Sequence, residues 1–176
     1  MRRVYLLALL MPLLAALPGC VAPQNSPGVS VFDDENIEQD ALARIGSGHM
    51  DGVHVNATSF NRRLLLTGEV PDAASKAAIE KLVAPVPKVR AISDELVVGD
   101  VSGVAARTTD SWITSDIKRQ LRGSAAFDAG KIMVVTENGT VFLMGAVRRK
   151  EGAAAAEIAS GANKVRRVVL LFEYLD

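Results

Sequence analysis

A tryptophan, a serine and two arginines are spaced for one face of a helix in the second half of the chain. Trp112, Ser115, Arg119 and Arg122 follow one another at intervals of three or four residues, so at about 100° per residue they share one side of an α-helix. An indole ring settles at the depth of lipid headgroups, and a guanidinium group pairs with phosphate while its stem lies along apolar surface. The composition of this face therefore suits the interface of a bilayer.

The same helix carries an apolar stripe on its other side. Ile113, Ile117 and Leu121 repeat every four residues, and their centre lies about 140° from Trp112 around the helix axis. Trp112 therefore cannot enter the core that these residues enter. Asp116 and Lys118 lie between the two faces and are not predicted contacts. An alternative interpretation has Trp112 packing against the domain formed by the first half of the chain, while the arginines only solvate the helix.

The N-terminal segment has the three zones of a secretory signal. Two arginines at positions 2 and 3 precede an apolar run over residues 4–17, and Gly19 comes just before Cys20, the single cysteine. The apolar run is shorter than the roughly 20 residues that a membrane-spanning helix needs. Residues 1–19 are therefore predicted to be a signal peptide.

The residues before Cys20 also resemble a lipobox, Leu17-Pro18-Gly19-Cys20. The resemblance implies that Cys20 becomes the acylated first residue of the mature protein. Because Val21 rather than aspartate follows the cysteine, the same resemblance implies sorting to the outer membrane, with the protein facing the periplasm. Residues 20–32 include two prolines and no charge, which predicts a flexible tether after the lipidated cysteine.

The neutral total charge conceals two unlike halves. Residues 21–103 contain seven lysines and arginines against twelve acidic residues, whereas residues 104–176 contain eleven against eight. An anionic bilayer would repel the first half and attract the second. Any electrostatic contact with a membrane is therefore expected from the second half.

The two halves are also repeats of one another, with an offset of about 76 residues. Helix-spaced apolar residues, a strand pair, an alanine-rich helix and an apolar last strand recur in the same order. The first half shows them as Ile37, Ala41 and Ile45, then Leu64 to Val70, Ala73 to Val83 and Ile92 to Val98; the second as Ile113, Ile117 and Leu121, then Val141 to Val147, Glu151 to Ala162 and Val168 to Tyr174. This predicts an α+β fold of two α-β-β-α-β modules, over residues 33–101 and 108–176. Each module is expected to place two helices on one face of a three-stranded mixed sheet.

Three local features have structural interpretations. Asn138-Gly139 predicts a type I′ hairpin turn, and Asn61-Arg62-Arg63 predicts a longer counterpart in the first module. Gly68 and Gly145 are expected to mark a bulge or bend within their strands. The acidic residues 33–35 are expected to cap the start of the first helix.

The order of elements and two sequence stretches resemble the BON domain. The stretches are Ser59-Phe60-Asn61-Arg62-Arg63-Leu64-Leu65-Leu66-Thr67-Gly68-Glu69-Val70-Pro71 and Asp110-Ser111-Trp112-Ile113-Thr114-Ser115-Asp116-Ile117-Lys118. Two copies behind a lipobox resemble the dual BON-domain outer-membrane lipoproteins. That resemblance implies phospholipid binding through the first helix of the second module, in support of outer-membrane integrity. The chain departs from the family where lysine replaces the usual glycine before the last strand's valine, at Lys88 and Lys164.

Catalytic and metal-binding patterns do not stand out in the sequence. His49 and His54 are the two histidines, and they are expected to be a loop and a strand residue rather than metal ligands. No nucleophile motif or phosphate-binding loop is present. The sequence therefore predicts a protein that is not an enzyme, with no cofactor, no metal and no nucleic-acid partner.

Two other functions remain open alongside phospholipid binding. The modules could form an adaptor that docks an outer-membrane assembly machine, a cell-wall component or a division-site protein, with Trp112 as the anchor. They could also be a tether without a specific ligand, in which case neither Trp112 nor the arginines would matter.

Overall fold

The computed structural model describes residues 27–126 and 128–176. The predicted signal peptide, Cys20 and the first residues of the predicted tether lie outside this range. In the part of the chain that is described, no helix has the length and apolar character needed to cross a membrane. The first helix begins at Pro27, so the prediction of a flexible tether up to residue 32 is wrong for residues 27–32, which are helical.

The first half of the chain forms one mixed sheet and two helices. Its elements are α1 (Pro27–Ser47), β1 (His54–Phe60), β2 (Arg63–Val70), α2 (Ala73–Val83), β3 (Ala91–Asp94) and β4 (Val97–Val98). Strand β1 is antiparallel to β2, whereas β3 and β4 both run parallel to it as two segments of one last strand.

The second half repeats this arrangement. Its elements are α3 (Val104–Gly123), β5 (Ile132–Glu137), β6 (Thr140–Val147), α4 (Arg149–Gly161) and β7 (Arg167–Tyr174), with a short 3-10 turn at Ala129–Lys131. Strand β5 is antiparallel to β6, and β7 is parallel to it. The predicted α+β fold of two α-β-β-α-β modules is confirmed.

Each module has its own core between the helices and one face of the sheet. The predicted helix stripes are fully or almost fully buried, both Ile37, Ala41 and Ile45 in α1 and Ile113, Ile117 and Leu121 in α3. They pack against alternate residues of the central strand, which point to one side of a sheet. Those residues are Leu64, Leu66 and Val70 in the first module and Val141, Leu143 and Val147 in the second.

The opposite faces of the two sheets pack against each other. A separate apolar cluster joins Leu65 to Phe142 and Met144, with Phe60 and Leu171 among the partly buried residues around it. Polar contacts surround this cluster, including Arg167 to Glu95 at 3.4 Å and Asn61 to Glu173 at 2.9 Å. The molecule therefore has four layers, with helices outside and two sheets inside. Trp112 is not part of this packing between the modules.

Gly68 and Gly145 lie within continuous strands. The pairing of β1 with β2 passes through Val55 and Gly68, and that of β5 with β6 ends at Ile132 and Gly145, in both cases without an extra residue. The expected bulge is therefore wrong. Glycine is needed because the partner strand is too close, since a Cβ at Gly68, where φ is 119°, would overlap the carbonyl oxygen of His54.

Both hairpins have turns of two residues. Phe60 pairs with Arg63, and Glu137 pairs with Thr140. Both central residues have positive φ, at 49° and 63° for Asn61 and Arg62 and at 47° and 72° for Asn138 and Gly139, as in a type I′ turn. The second turn is as predicted, but the expectation of a longer first loop is wrong.

An aspartate from the first helix of each module binds its hairpin turn. Asp34 accepts hydrogen bonds from the backbone N–H groups of Asn61 and Arg62, at 2.8 and 2.7 Å. Asp110 accepts the corresponding bonds from Asn138 and Gly139, both at 2.8 Å. Because α1 begins at Pro27, residues 33–35 are inside the helix, so the predicted helix-capping role is wrong and Asp34 caps the hairpin instead.

Candidate functional site

Helix α3 presents the predicted binding residues to solvent. Trp112 is 48% exposed, and Ser115, Arg119 and Arg122 are also exposed. The buried stripe on the other side of α3 fixes this orientation, because the helix cannot rotate without exposing three large apolar side chains. The prediction that Trp112 lies outside the core is confirmed.

Two of these residues make local bonds. The Ser115 hydroxyl donates to the carbonyl oxygen of Ser111, one turn earlier, at 2.8 Å. Arg119 donates to Asp116 at 2.5 Å although its side chain is 71% exposed. The hydrogen bond from Arg119 is the main reason that the pKa of Asp116 is lowered. The Arg119 side chain is largely in solvent, and Gln120 also donates to Asp116, so Arg119 can leave Asp116 for another anion without leaving that carboxylate unpartnered.

Two further cations lie on this side of the second module. No carboxylate in the described ranges lies within ion-pair distance of Arg122. The Lys164 ammonium group, in the loop before β7, lies over the Trp112 ring at 5.8 Å from its centre, a distance at which cation–π attraction operates. Trp112 is thus next to a basic residue from a different part of the chain.

Lys164 and its counterpart Lys88 have the backbone conformation of the glycine they replace. Their φ angles are 66° and 67°, in the left-handed region that non-glycine residues occupy at a cost of roughly 1 kcal/mol or more. Lysine therefore occupies, in both turns, a backbone conformation that glycine adopts without strain. It adds an ammonium group at each of the two turns.

In the first module this ammonium group is neutralised. Lys88 lies 2.5 Å from Asp33, and Arg62 lies 2.7 Å from the other oxygen of the same carboxylate. Asp33 is 4% exposed, and the hydrogen bond from Lys88 is the largest cause of its lowered pKa. Lys88 is therefore part of a structural ion cluster that ties α1 to two turns.

In the second module the corresponding acid is absent. An offset of 76 residues, which superposes Ile37 on Ile113, places Thr109 where the first module has Asp33. The Thr109 hydroxyl donates within α3 to the carbonyl oxygen of Ala105 at 3.0 Å and carries no charge. Among the described residues no carboxylate pairs with Lys164, so its charge is available at the surface.

A groove of about 450 Å³ runs beside Lys164. Its walls come from the start of α3, the second hairpin turn and the loop before β7, and they include Thr109, Lys164 and Arg166. Two basic side chains thus line a polar depression next to Trp112. Lys164 is not among the binding residues predicted from the sequence, although its position just before the basic pair Arg166-Arg167 is a usable signal.

The corresponding face of α1 carries none of this chemistry. The same offset places Asn36 at the position of Trp112, and Gln39, Ala43 and Gly46 at those of Ser115, Arg119 and Arg122. All four are exposed. The two modules therefore share a scaffold, but at these four matched positions an aromatic ring and cations are present in α3 and absent from α1.

The histidines lie where the sequence places them, one in a loop and one in a strand. His49 follows α1, with its Nδ1 2.7 Å from the carbonyl oxygen of Ser47. His54 begins β1 and is close to two carboxylates, Glu69 and Glu137, with all three ligand atoms within 4.8 Å of one another. These three residues are of the types that could hold a metal ion.

Comparison with known proteins agrees with this architecture. The BON domain family matches residues 33–100 and 109–176. The Outer membrane lipoprotein DolP of Haemophilus influenzae is 33% identical, with 97% of this chain and 96% of that protein covered. The 21 kDa hemolysin of Actinobacillus pleuropneumoniae is 31% identical, with coverage of 86% and 79%.

Among solved structures, the C-terminal domain of CdsD, the structural protein of the type III secretion system of Chlamydia trachomatis, aligns with a TM-score of 0.33. The alignment has 13% identity and covers 81% of this chain and 96% of that one. The two BON matches and the relation to DolP over nearly the whole of both chains show the family. The chain belongs to the BON-domain proteins and is an outer-membrane lipoprotein with two BON modules.

Proposed function

We propose that the protein is a non-enzymatic binder of anionic phospholipid, and that the exposed face of α3 is its contact surface. The observation that carries the proposal is the half-exposed Trp112 with Lys164 over its ring and Arg122 on the same side of the module. An indole ring can lie at the depth of the headgroups, and the cations beside it can pair with phosphate. Together they form a surface that suits the interface of a bilayer. The first module has no such surface at the same place.

Each residue has a separate role in this proposal. Trp112 enters the interface between headgroups and acyl chains, while Arg119, Arg122 and Lys164 contact phosphate. Ser115 lies between them and can donate a hydrogen bond to a headgroup once it leaves the Ser111 carbonyl. Each basic residue near an anionic surface contributes about 1 kcal/mol, so the face alone binds weakly.

A covalent anchor would compensate for this weak affinity. We propose that Cys20 is acylated and holds the protein at the outer membrane, facing the periplasm, which raises the effective concentration of the α3 face at the lipid surface. Binding at that membrane would then support the integrity of the envelope, as the resemblance to dual BON-domain lipoproteins implies.

Sedimentation with vesicles tests the proposal. Residues 21–176, which lack Cys20, would be mixed with phosphatidylglycerol-containing vesicles or with phosphatidylcholine vesicles, at low and at high salt. We expect pelleting with anionic vesicles only, weakened by salt because screening shortens the range of the exposed charges. Trp112→Ala/Arg119→Glu should lose this binding, whereas Asn36→Ala on the matched face of α1 should keep it.

Two results would contradict the proposal. Equal pelleting with neutral vesicles, or none in any condition, would exclude the cations of α3 as the lipid-binding groups. Retained binding to an envelope protein in high salt would instead favour the adaptor function, with Trp112 as an interface anchor.

A further inference from the structure

One imidazole and two carboxylates meet where the two sheets face each other. His54 and Glu69 are paired across β1 and β2, with Nδ1 of His54 3.1 Å from Oε2 of Glu69. Glu137, at the end of β5 in the second module, completes the group, and the three ligand atoms lie within 4.8 Å of one another. The group therefore includes residues from both modules.

The polar groups around Glu69 do not satisfy its carboxylate. Glu69 is 3% exposed, and its Oε1 has no hydrogen-bond partner among the described residues. A buried carboxylate oxygen without a partner is costly. Since the other oxygen of the same carboxylate faces His54, the unpartnered oxygen belongs to a group that points into the cluster.

Glu137 is held by polar side chains of the first module. Its Oε2 accepts hydrogen bonds from Asn56 at 2.8 Å and from Thr67 at 3.4 Å. The ligand oxygens of Glu137 and Glu69 lie within 4.8 Å of each other. Two carboxylates thus lie together, and the single neighbouring imidazole can supply them with at most one positive charge.

We propose that His54, Glu69 and Glu137 bind a divalent transition-metal ion of the Zn²⁺ class between the two modules. One imidazole nitrogen with carboxylate oxygens is a donor set that suits Zn²⁺, whereas Mg²⁺ and Ca²⁺ prefer oxygen ligands alone. A groove of about 660 Å³ that includes His54 and Glu137 in its walls reaches this place. Solvent can therefore enter and supply the remaining ligand of a four-coordinate ion.

Such an ion would join the modules. Two of its ligands belong to the first sheet and one to the second, so binding requires the sheets to be packed as they are here. A ligand that binds only this arrangement stabilises it by mass action. The metal would thereby hold the α3 face in a fixed orientation relative to the first module.

Zinc titration of the whole protein, extracted in detergent and stripped with EDTA, tests the proposal. Bound ZnCl₂ would be measured by equilibrium dialysis, with MgCl₂ as the comparison ion, and thermal unfolding would be followed in parallel. We expect about one Zn²⁺ per chain, a higher Tm with Zn²⁺ and no such shift with Mg²⁺. Loss of one ligand should weaken binding at least about tenfold, both in His54→Asn and in Glu137→Gln.

His49→Asn is the matched control, because it removes the other histidine from an exposed loop. It should bind Zn²⁺ as the unchanged protein does. Failure to bind Zn²⁺, or equal loss of binding in His49→Asn, would overturn the proposal. Glu137→Gln keeps the size and hydrogen-bonding oxygen of the side chain, so a folded Glu137→Gln protein that still binds Zn²⁺ would overturn it as well.

Discussion

The first helices of the two modules have the same position in the fold but different side chains at the matched solvent-facing positions. Both bury a stripe of three apolar residues, and both place an aspartate on the turn of the neighbouring hairpin. At the solvent-facing positions, however, α1 has Asn36 and Ala43 where α3 has Trp112 and Arg119. The difference is confined to positions that the fold does not constrain.

The same contrast appears in the turns that contain Lys88 and Lys164. The φ angles of Lys88 and Lys164 are 67° and 66°. Lys88, however, pairs with Asp33 in an ion cluster. Lys164 has the uncharged Thr109 at the position that matches Asp33. A change of one side chain thus converts a structural lysine into a surface cation. In this protein the repeat supplies the scaffold, and a few side chains at its surface distinguish the module with the proposed binding face from the other module.

The largest effect is expected where the modules are alike. Gly68→Ala should destabilise the protein by about 3 kcal/mol or more, since a Cβ there combines positive φ with overlap on the His54 carbonyl oxygen. Gly145→Ala should also destabilise, but less, because there only the approach to Lys131 is too close. Urea unfolding measures both. Unchanged stability in either variant would contradict the claim that both positions require glycine because the neighbouring backbone is too close for a Cβ.

Charge reversal in the second module should weaken vesicle binding much more than an added negative charge at a matched position in the first module. Arg122→Glu/Lys164→Glu should weaken binding to phosphatidylglycerol vesicles about 30-fold or more, because two basic residues worth about 1 kcal/mol each are lost. Ala43→Glu in α1, at the position that matches Arg119, should change binding much less. Vesicle sedimentation measures both variants. Because Ala43→Glu changes the net charge by about one unit and the double variant by about four, a loss of binding free energy in Ala43→Glu of about a quarter or more of that in the double variant would mean that net charge alone drives binding.

Restoring the missing acid should make the second module resemble the first. Thr109→Asp is expected to pair with Lys164 as Asp33 pairs with Lys88, and so to weaken vesicle binding about fivefold without removing any cation. Thr109→Val removes the hydroxyl without adding charge and should bind as the unchanged protein does. If Thr109→Asp bound with full affinity, Lys164 would have no role in lipid contact.

The smallest expected effect is a dependence of stability on acid pH that belongs to the first module. The pKa of Asp33 is lowered in the folded state, chiefly by Lys88, so its stabilising contribution is present above its unfolded pKa of about 4 and is lost as pH falls through the folded value. Asp33→Asn should flatten this part of the curve of unfolding free energy against pH. An identical curve for Asp33→Asn would show that the ion cluster adds no stability.

Much of the fold follows from periodicity alone. The buried stripes of α1 and α3 and the bounds of α2, which are Ala73–Val83 as predicted, depend on local patterns that a helix imposes. The packing of sheet on sheet was not predicted, although a signal existed. Leu64, Leu65 and Leu66 are consecutive and apolar, and a strand that is apolar on both faces is usually covered on both.

The rest of the candidate site depends on contacts between distant parts of the chain. Trp112 and its face could be predicted because they share one helix. The position of Lys164 over Trp112 follows from how the last loop returns to α3, and the meeting of His54, Glu69 and Glu137 follows from the packing of the modules. Neither arrangement leaves a spacing pattern in the sequence.

The central claim is that the α3 face, and Trp112 in particular, enters an anionic membrane. Trp112 is the single tryptophan of the chain, so its intrinsic fluorescence reports on that face without any label. With phosphatidylglycerol vesicles that carry quenchers on their acyl chains, we predict a shift of emission to shorter wavelength together with quenching, and neither change with neutral vesicles. Unchanged emission while the protein sediments with anionic vesicles would show that another surface makes the contact, and would contradict the proposal.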